Sequence, residues 1–303
     1  MNLINLTELS IIIVTYNNEQ EIGRCLFSLA SAVANIPTQV IVIDNNSLDN
    51  TPQVIEKELS HFKTNNLIKN KQNLGFTKAI NQGLKLTQGK YILLLNPDTA
   101  LSADTFQKLL PLFNTKPDVG IIAPQLLNTD GSVQPSCRRF PRHRDIFFHI
   151  LGLNLMFPSS KLFNCWKMGD FDHNSEKFVE QPQGAFLLTH RQAFNNVGLL
   201  DENFPMFFSD VDWCHRFIDN GWKILFTPAV RILHHKGKSI YKNRAPLIWS
   251  SHVSFYRYFK KYYRKGLWPV VNFLTGLLLI KLAFIRMLFE KIGGIFKFCK
   301  RTG

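Results

Sequence analysis

The sequence predicts an α/β fold in which a parallel sheet is wound with helices, and three observations carry that prediction. Short runs of Ile, Val and Leu alternate with segments whose apolar residues recur at helical spacing, the order expected of strand–helix–strand units. Three of those runs end in polar clusters: Thr15–Asn17, Asp44–Ser47 and Asn96–Thr99. Residues from Tyr256 to Arg301 mix Lys and Arg with aromatic and aliphatic residues, which reads as a helical, membrane-associating region.

Each element follows from its residues. Leu9–Val14 is apolar throughout, as a strand covered on both faces must be. After the polar turn Thr15–Asn18, Glu19–Ala34 places Ile22, Leu26, Leu29 and Val33 at helical spacing. Gln39–Ile43 is the second strand, Thr51–Phe62 a helix with Asp49 as its cap, and Leu67-Ile68 a weaker third strand. Thr77–Leu86 reads as a helix stopped by Gly89, and Tyr91–Leu95 as the fourth strand. The middle, Pro124–Pro182, is rich in Pro, Arg and Phe and reads as irregular. Ala185–Thr189 restores a strand, Val211–Asn220 a helix ended by Gly221, and Ile224–Phe226 and Val230–Leu233 two late strands around Pro228.

Leu267–Ile280 is apolar and uncharged. As a helix it would span roughly 20 Å, against the about 30 Å of a bilayer core. Lys281, Arg286, Glu290 and Lys291 then interrupt the pattern. One helix or a helix pair lying in the interface is the favoured reading, with a true span and a core-packing helix as its rivals. The expected organisation is a catalytic domain over 1–240, with a nucleotide half to about 123 and an acceptor half from 124, then a basic, aromatic region over 241–303.

Composition narrows the partners. The 303 residues are 45% hydrophobic and 19% charged, so most of the chain is globular. A net charge of +14 suits an anionic partner. The basic residues stand among apolar runs, which favours a membrane surface over a nucleic-acid groove. A basic nucleic-acid-binding protein remains the alternative of another class. The five cysteines form no CxxC pair, so no zinc site is expected and a reduced, cytosolic setting is. The first eight residues show no basic segment followed by an apolar run, so no secretory signal is expected. No GxGxxG follows the first strand, and Gly237-Lys238-Ser239 lacks the leading glycine of a P-loop, Ile232 standing in its place.

In wound sheets ligands bind beyond the carboxyl ends of the strands, so the three polar clusters should line one crevice. Asp98 reads equally as a crevice carboxylate or as a cap or turn residue before Ala100–Phe106. Asp44 reads as an Asx turn or as a hydrogen-bond partner of a nucleoside. Asp201, Glu202, Asp210 and Asp212 form a dense acidic stretch. Favourable charge at the start of a helix accounts for one such carboxylate better than for four. His234, at the end of a late strand, reads as a metal ligand ahead of a structural histidine.

Taken together and in order, these motifs resemble the family 2 glycosyltransferases, and within them the rhamnosyltransferase-like branch, from about Leu9 to Arg264. The matching segments are Ile12–Asn17, Val42–Ser47 with Asp49 and Thr51, Asn73–Phe76 with Asn81 and Gly83, Leu94–Asp98, Gly184–Phe186, Asp201–Trp222, and His234 with Gly237 and Ser239. The resemblance implies a Rossmann-like mixed, mostly parallel sheet with flanking helices, of GT-A type. It implies an inverting transfer of a sugar, with rhamnose the donor sugar of that branch, from a nucleotide diphosphate to a lipid-linked or glycan acceptor at the cytoplasmic face of a membrane, with Mg or Mn. Thr15, Tyr16, Asn17, Asp44, Asn73, Gly75, Phe76 and Asn96 would hold the nucleotide sugar. Asp98 would bind the metal, with His234 as a further ligand. Asp210 would be the general base, and Gly184, Ala185 and Asp212 would face the acceptor. Such a transfer needs one base and a charge-neutralised leaving group, unlike hydrolysis, which needs two paired carboxylates. The chain departs from the family pattern at Asn96, where the metal motif opens with an acid, and at Ser209, where a Glu precedes the base. A transferase-like fold that only binds a partner is the reading those departures leave open.

Overall fold

The computed structural model describes residues 7–235 and 244–299. Gly237 and Ser239 lie outside the described residues. Strands β1 (Leu9–Thr15), β2 (Thr38–Asp44), β3 (Thr64–Lys69) and β4 (Tyr91–Leu95) are parallel and stand in the order β3-β2-β1-β4. Helices α1 (Glu19–Ala32), α2 (Thr51–Leu59) and α3 (Phe76–Leu84) cross between them. β1 is buried along its whole length, and all but the first residue of β2 is, as an unbroken apolar run requires. Gly83 lets α3 lie close on the sheet: a Cβ there would come within 2.5 Å of Ile12 Cγ2 and 2.9 Å of Ile43 Cδ1.

β5 (Thr99–Ala100), α4 (Thr105–Leu109) and α5 (Leu112–Thr115) lead into β6 (Val119–Leu127). Next come β7 (Val133–Gln134), β8 (Cys137–Arg138), α6 (His143–Ile150), α7 (Leu153–Met156), β9 (Lys177–Phe178) and β10 (Gln181–Pro182). β11 (Phe186–His190), α8 (Arg191–Val197), α9 (Ser209–Asp219) and β12 (Lys223–His234) complete the sheet, whose order continues β4-β11-β6-β12-β5. β11 runs antiparallel to β4 and β6, and β12 runs parallel to β6. The sheet is therefore mixed and mostly parallel. It has one apolar cluster on the α1–α2 side and another beneath α3 and α9.

Three expectations about elements are corrected. The segment read as irregular contains the last four residues of β6, a buried nine-residue strand in the middle of the sheet. Pro124 disguises it, because proline cannot donate to a ladder. Here Pro124 lies beyond the residues that pair with β11, opposite Thr227 at a register shift of β12. The two late strands are one strand of 12 residues, and that irregularity between Thr227 and Arg231 absorbs Pro228. Ala100–Phe106 is not a helix: Thr99 and Ala100 pair with His234 and Leu233, and helix begins only at Thr105.

The C-terminal region is a helical hairpin of α10 (Arg244–Tyr262) and α11 (Trp268–Cys299). The charges at Lys281, Arg286 and Glu290 do not break α11. Its residues Trp268–Glu290, 23 in number with mean hydropathy 1.8, are long and apolar enough to cross a membrane. Asn272, Gly276, Leu279 and Ala283 form a narrow buried seam, Gly276 lying against Tyr256 of α10. A third cluster of Ile146, Phe204, Phe208, Val211, Tyr258, Phe259 and Leu279 joins the hairpin to α6 and α9.

Candidate active site

The carboxyl ends of β1, β2, β4 and β12 lie along one edge of the sheet, where a wound sheet forms its ligand crevice, with the start of β11 reversed among them. On its β1–β2 side the loops are locked together. Asn17, at φ 53°, donates its N–H to Ser47 Oγ (2.9 Å), and its Oδ1 accepts the Leu48 N–H (2.7 Å). Asp44 makes the Asx turn, Oδ2 accepting the Ser47 N–H at 3.1 Å. Its Oδ1 and the Thr15 Oγ1 are buried without a protein partner. Buried polar atoms are nearly always bonded, so these two fit a nucleoside's donors and acceptors. Tyr16 is 38% exposed beside them. Asp49 stands one residue before the N-cap of α2, which is Asn50 rather than the expected Asp49, and its Oδ1 accepts the Thr51 N–H at 3.1 Å.

Asn45 ties this side to the segment before α3. Its Oδ1 accepts the Leu74 N–H (3.0 Å), and its Nδ2 donates to Asn73 Oδ1 (2.9 Å). Asn73 Oδ1 in turn accepts the Gly75 N–H (2.9 Å). Gly75 has φ +82°, and a Cβ there would meet the Pro205 carbonyl at 3.3 Å, so glycine is required twice over. Phe76 opens α3 and packs, half-buried, against the core.

Asp98 and His234 come together because β5 pairs with the end of β12. His234 Nε2 lies 3.3 Å from Asp98 Oδ1, and both residues are buried. His234 Nδ1 lies 2.8 Å from Gln134 Oε1. The Gln134 Nε2 donates to Asn128 Oδ1, which fixes the amide so that Oε1 faces the imidazole. Nδ1 is thus held against Gln134, and Nε2 is the ring nitrogen turned toward Asp98, the placement that outer-shell partners give metal-binding histidines. Among the described residues no group of three or more His, Cys, Asp and Glu gathers. The pair fits a cation held mostly by diphosphate oxygens and water, in the manner of Mg. The Asn96 N–H donates to the Ala185 carbonyl (2.9 Å), fastening the Asn96–Thr99 loop to the start of β11.

Asp210 stands half-buried at the start of α9. Its Oδ2 accepts the Gly184 N–H (3.2 Å) and the Gln181 Nε2–H (3.3 Å), and its Oδ1 the Val211 N–H (2.9 Å). Burial pushes its carboxyl above the usual range, and these hydrogen bonds oppose the shift. A Cβ on Gly184 would lie 3.1 Å from Asp210 Oδ2, so glycine lets the backbone reach the carboxylate. Ser209 is buried, and its Oγ donates to the Met206 carbonyl. It lends nothing to the crevice.

The acidic stretch does not gather as a unit. Asp212 is fully buried and binds Arg216 Nε (3.0 Å), Lys261 Nζ and the Tyr262 hydroxyl (2.7 Å). The expectation that Asp212 faces an acceptor is therefore corrected: it fastens α9 to α10. Asp201 joins Lys261 as well (2.7 Å), and Glu202 Oε1 accepts from Asn81 Nδ2 (3.1 Å). Of the four acids, Asp210 is the one bonded to the Gly184 backbone just before β11. Sequence reasoning missed Gln134, Gln181 and Lys261. Each acts on a residue 29 to 100 positions away, and nothing local marks them. Asn45 did have a signal, its place beside Asp44 at a strand end.

This mixed, mostly parallel sheet, with an Asp–His pair where β5 meets the end of β12 and a half-buried carboxylate held by the backbone just before β11, has the architecture of a GT-A-type glycosyltransferase. The family model described as "Glycosyl transferase family 2" matches residues 10–172, more than half of the chain. The chain belongs to glycosyl transferase family 2. It is 29% identical over 259 residues to the N-acetylglucosaminyl-diphospho-decaprenol L-rhamnosyltransferase of Mycobacterium tuberculosis, covering 82% of each. It is 26% identical over 215 residues to a hexosyltransferase of low-salt glycan biosynthesis from Haloferax volcanii, covering 70% of this chain and 62% of that one. Among solved structures it resembles a Pyrobaculum calidifontis mannosyltransferase in complex with GDP-Man and Mn2+. There the TM-score is 0.56 at 15% identity, over 95% of this chain and 80% of that one.

Proposed function

We propose that this glycosyltransferase moves a sugar, with inversion, from a nucleotide diphosphate to a lipid-linked acceptor in cell-surface glycan synthesis, using Mg or Mn. The observation that carries this reading is the linkage of the buried Asp98–His234 pair to Asp210: Asn96, two residues before Asp98, bonds the Ala185 carbonyl, and Asp210 accepts from Gly184 beside it. Thr15, Asp44 and the Asn45–Asn73–Gly75 chain of hydrogen bonds form the nucleotide side. Asp98 and His234 would hold the cation, which neutralises the charge that develops on the leaving diphosphate. Asp210, in its carboxylate form, takes the proton of the acceptor hydroxyl, and Gly184 and Gln181 hold it aimed at that proton. One displacement at the anomeric carbon, with no covalent sugar on the protein, inverts its configuration.

Rhamnose is the donor sugar this reading favours, because the mycobacterial relative transfers L-rhamnose and is matched along most of both chains. That relative's decaprenol diphosphate acceptor also favours a lipid-linked acceptor here. α11 adds to this: most of its apolar residues face outward, Phe273, Phe284 and Phe289 being 60%, 60% and 69% exposed. A helix apolar nearly all round is buried in protein or in lipid, which favours the cytoplasmic face of a membrane as the place of work. The test is consumption of a panel of nucleotide sugars with lipid extract, with Mg or Mn and then with chelator. Metal-dependent consumption of a nucleotide-linked rhamnose is the expected result. A folded protein that binds no nucleotide diphosphate would overturn the reading.

A further inference from the structure

The segment between β8 and β9 carries α6 and α7 and has no part in the sheet. Its apolar residues point outward: Phe147, Ile150, Leu151, Leu155, Met156 and Phe157 are all exposed. Contiguous exposed apolar surface marks a contact with another phase or partner. The only acid between residues 143 and 169 is Asp145, and it is buried, whereas Arg144, Lys161 and Lys167 lie in the same stretch. The segment is also tied to the hairpin. His143, the first residue of α6, stacks on Phe259 of α10 and Trp268 of α11, and its Nε2 lies 2.8 Å from Asn272 Oδ1. Further along α6, Lys167 and Arg286 of α11 both act electrostatically on His149. α6–α7 and the exposed face of α11 therefore lie side by side, apolar with cations among them.

We propose that α6–α7 is a second membrane foot, inserting its apolar residues into an anionic bilayer surface beside α11. The occupant is lipid because apolar side chains interspersed with Lys and Arg, with no exposed acid between residues 143 and 169, match the boundary between acyl chains and anionic headgroups. The foot has a consequence for the site. α6 follows β8, which pairs with β10 through Arg138 and Gln181, and Gln181 is a hydrogen-bond partner of Asp210. Seating α6–α7 in lipid would hold the Asp210 side of the crevice at the membrane, where a lipid-linked acceptor emerges. This rests on the proposed function for the acceptor, but the docking itself does not.

The test uses the full chain and vesicles of phosphatidylcholine with or without phosphatidylglycerol. Leu155→Glu with Met156→Glu, at positions 75% and 68% exposed, should weaken binding to anionic vesicles at least about tenfold while leaving the melting temperature unchanged. In a second variant, Leu155→Trp, brominated lipid should quench the added fluorescence relative to the parent chain. Undiminished binding of the double variant without quenching of the new Trp would overturn the foot and leave α11 as the docking element. A parent chain that self-associates through this face in the absence of vesicles, and dissociates in the double variant, would also overturn it. Donor consumption measured alongside shows separately whether the transferase reading stands.

Discussion

Replacing Gly184 by alanine places a methyl group 3.1 Å from both Cβ and Oδ2 of Asp210. Carbon atoms pack best at about 3.5–4.0 Å, so the carboxylate must retreat by roughly 0.5 Å. Its bonds from the Gly184 N–H and the Gln181 amide are already 3.2 and 3.3 Å long, and a retreat of that size takes both beyond bonding distance. A misplacement of 1 Å at a reacting group costs about 10²-fold, so kcat/KM should fall between about 10- and 100-fold. The loss has a pH signature. Both bonds favour the charged carboxylate against the burial that pushes its pKa up. Removing them raises that pKa further, so the acid limb of kcat/KM moves to higher pH. Initial rates of donor-dependent transfer across that limb measure both effects. Overpacking costs typically 1–3 kcal/mol, so the fold should persist, as a melting curve would check. Undiminished activity with an unmoved acid limb would refute the assignment of Gly184 as the residue that aims the base.

Other outcomes follow from the same geometry. Gln134→Leu removes the hydrogen-bond partner that orients the His234 ring and should weaken the metal response about 10–100-fold, measured as the metal concentration for half-maximal activity. Asp212→Ala leaves the charges of Arg216 and Lys261 without their buried partner and should destabilise by about 3–5 kcal/mol, read by urea unfolding. Gly83→Ala forces a Cβ into Ile12 and Ile43 and should cost about 1–3 kcal/mol by the same measurement. Asp210→Asn removes a carboxyl whose raised pKa means the folded state favours its protonated form. Such a group supports stability at low pH and loses that support as pH rises through its folded pKa. The Asn variant should therefore lose less stability than the parent as pH rises from acid to neutral, which melting temperatures across that window would show.

The nucleotide half was legible because its strands are buried on both faces, and continuous apolar runs report such strands directly. The polar ends of β1, β2 and β4 pointed to the crevice for the same reason. The second half was harder. β6 was hidden by Pro124, which its place beyond the β11 pairing tolerates. β12 was split on paper by Pro228, which a bulge absorbs. The acidic stretch misled because a run of carboxylates carries no record of its partners. Asp212 is spoken for by Lys261, 49 residues on, while Asp210 is held by backbone at Gly184. Gly184 was named as an acceptor-side turn, but the reason it must be glycine is a contact with residue 210 that no spacing displays.

The central claim is that Asp210 is the base of a metal-assisted transfer. It is tested most directly by the rate of sugar transfer in Asp210→Asn, with nucleotide and metal binding measured on the same protein. Loss of general-base catalysis should lower kcat by about 10²–10⁴-fold while the nucleotide diphosphate and metal bind as before. Transfer at the parent rate would contradict the account.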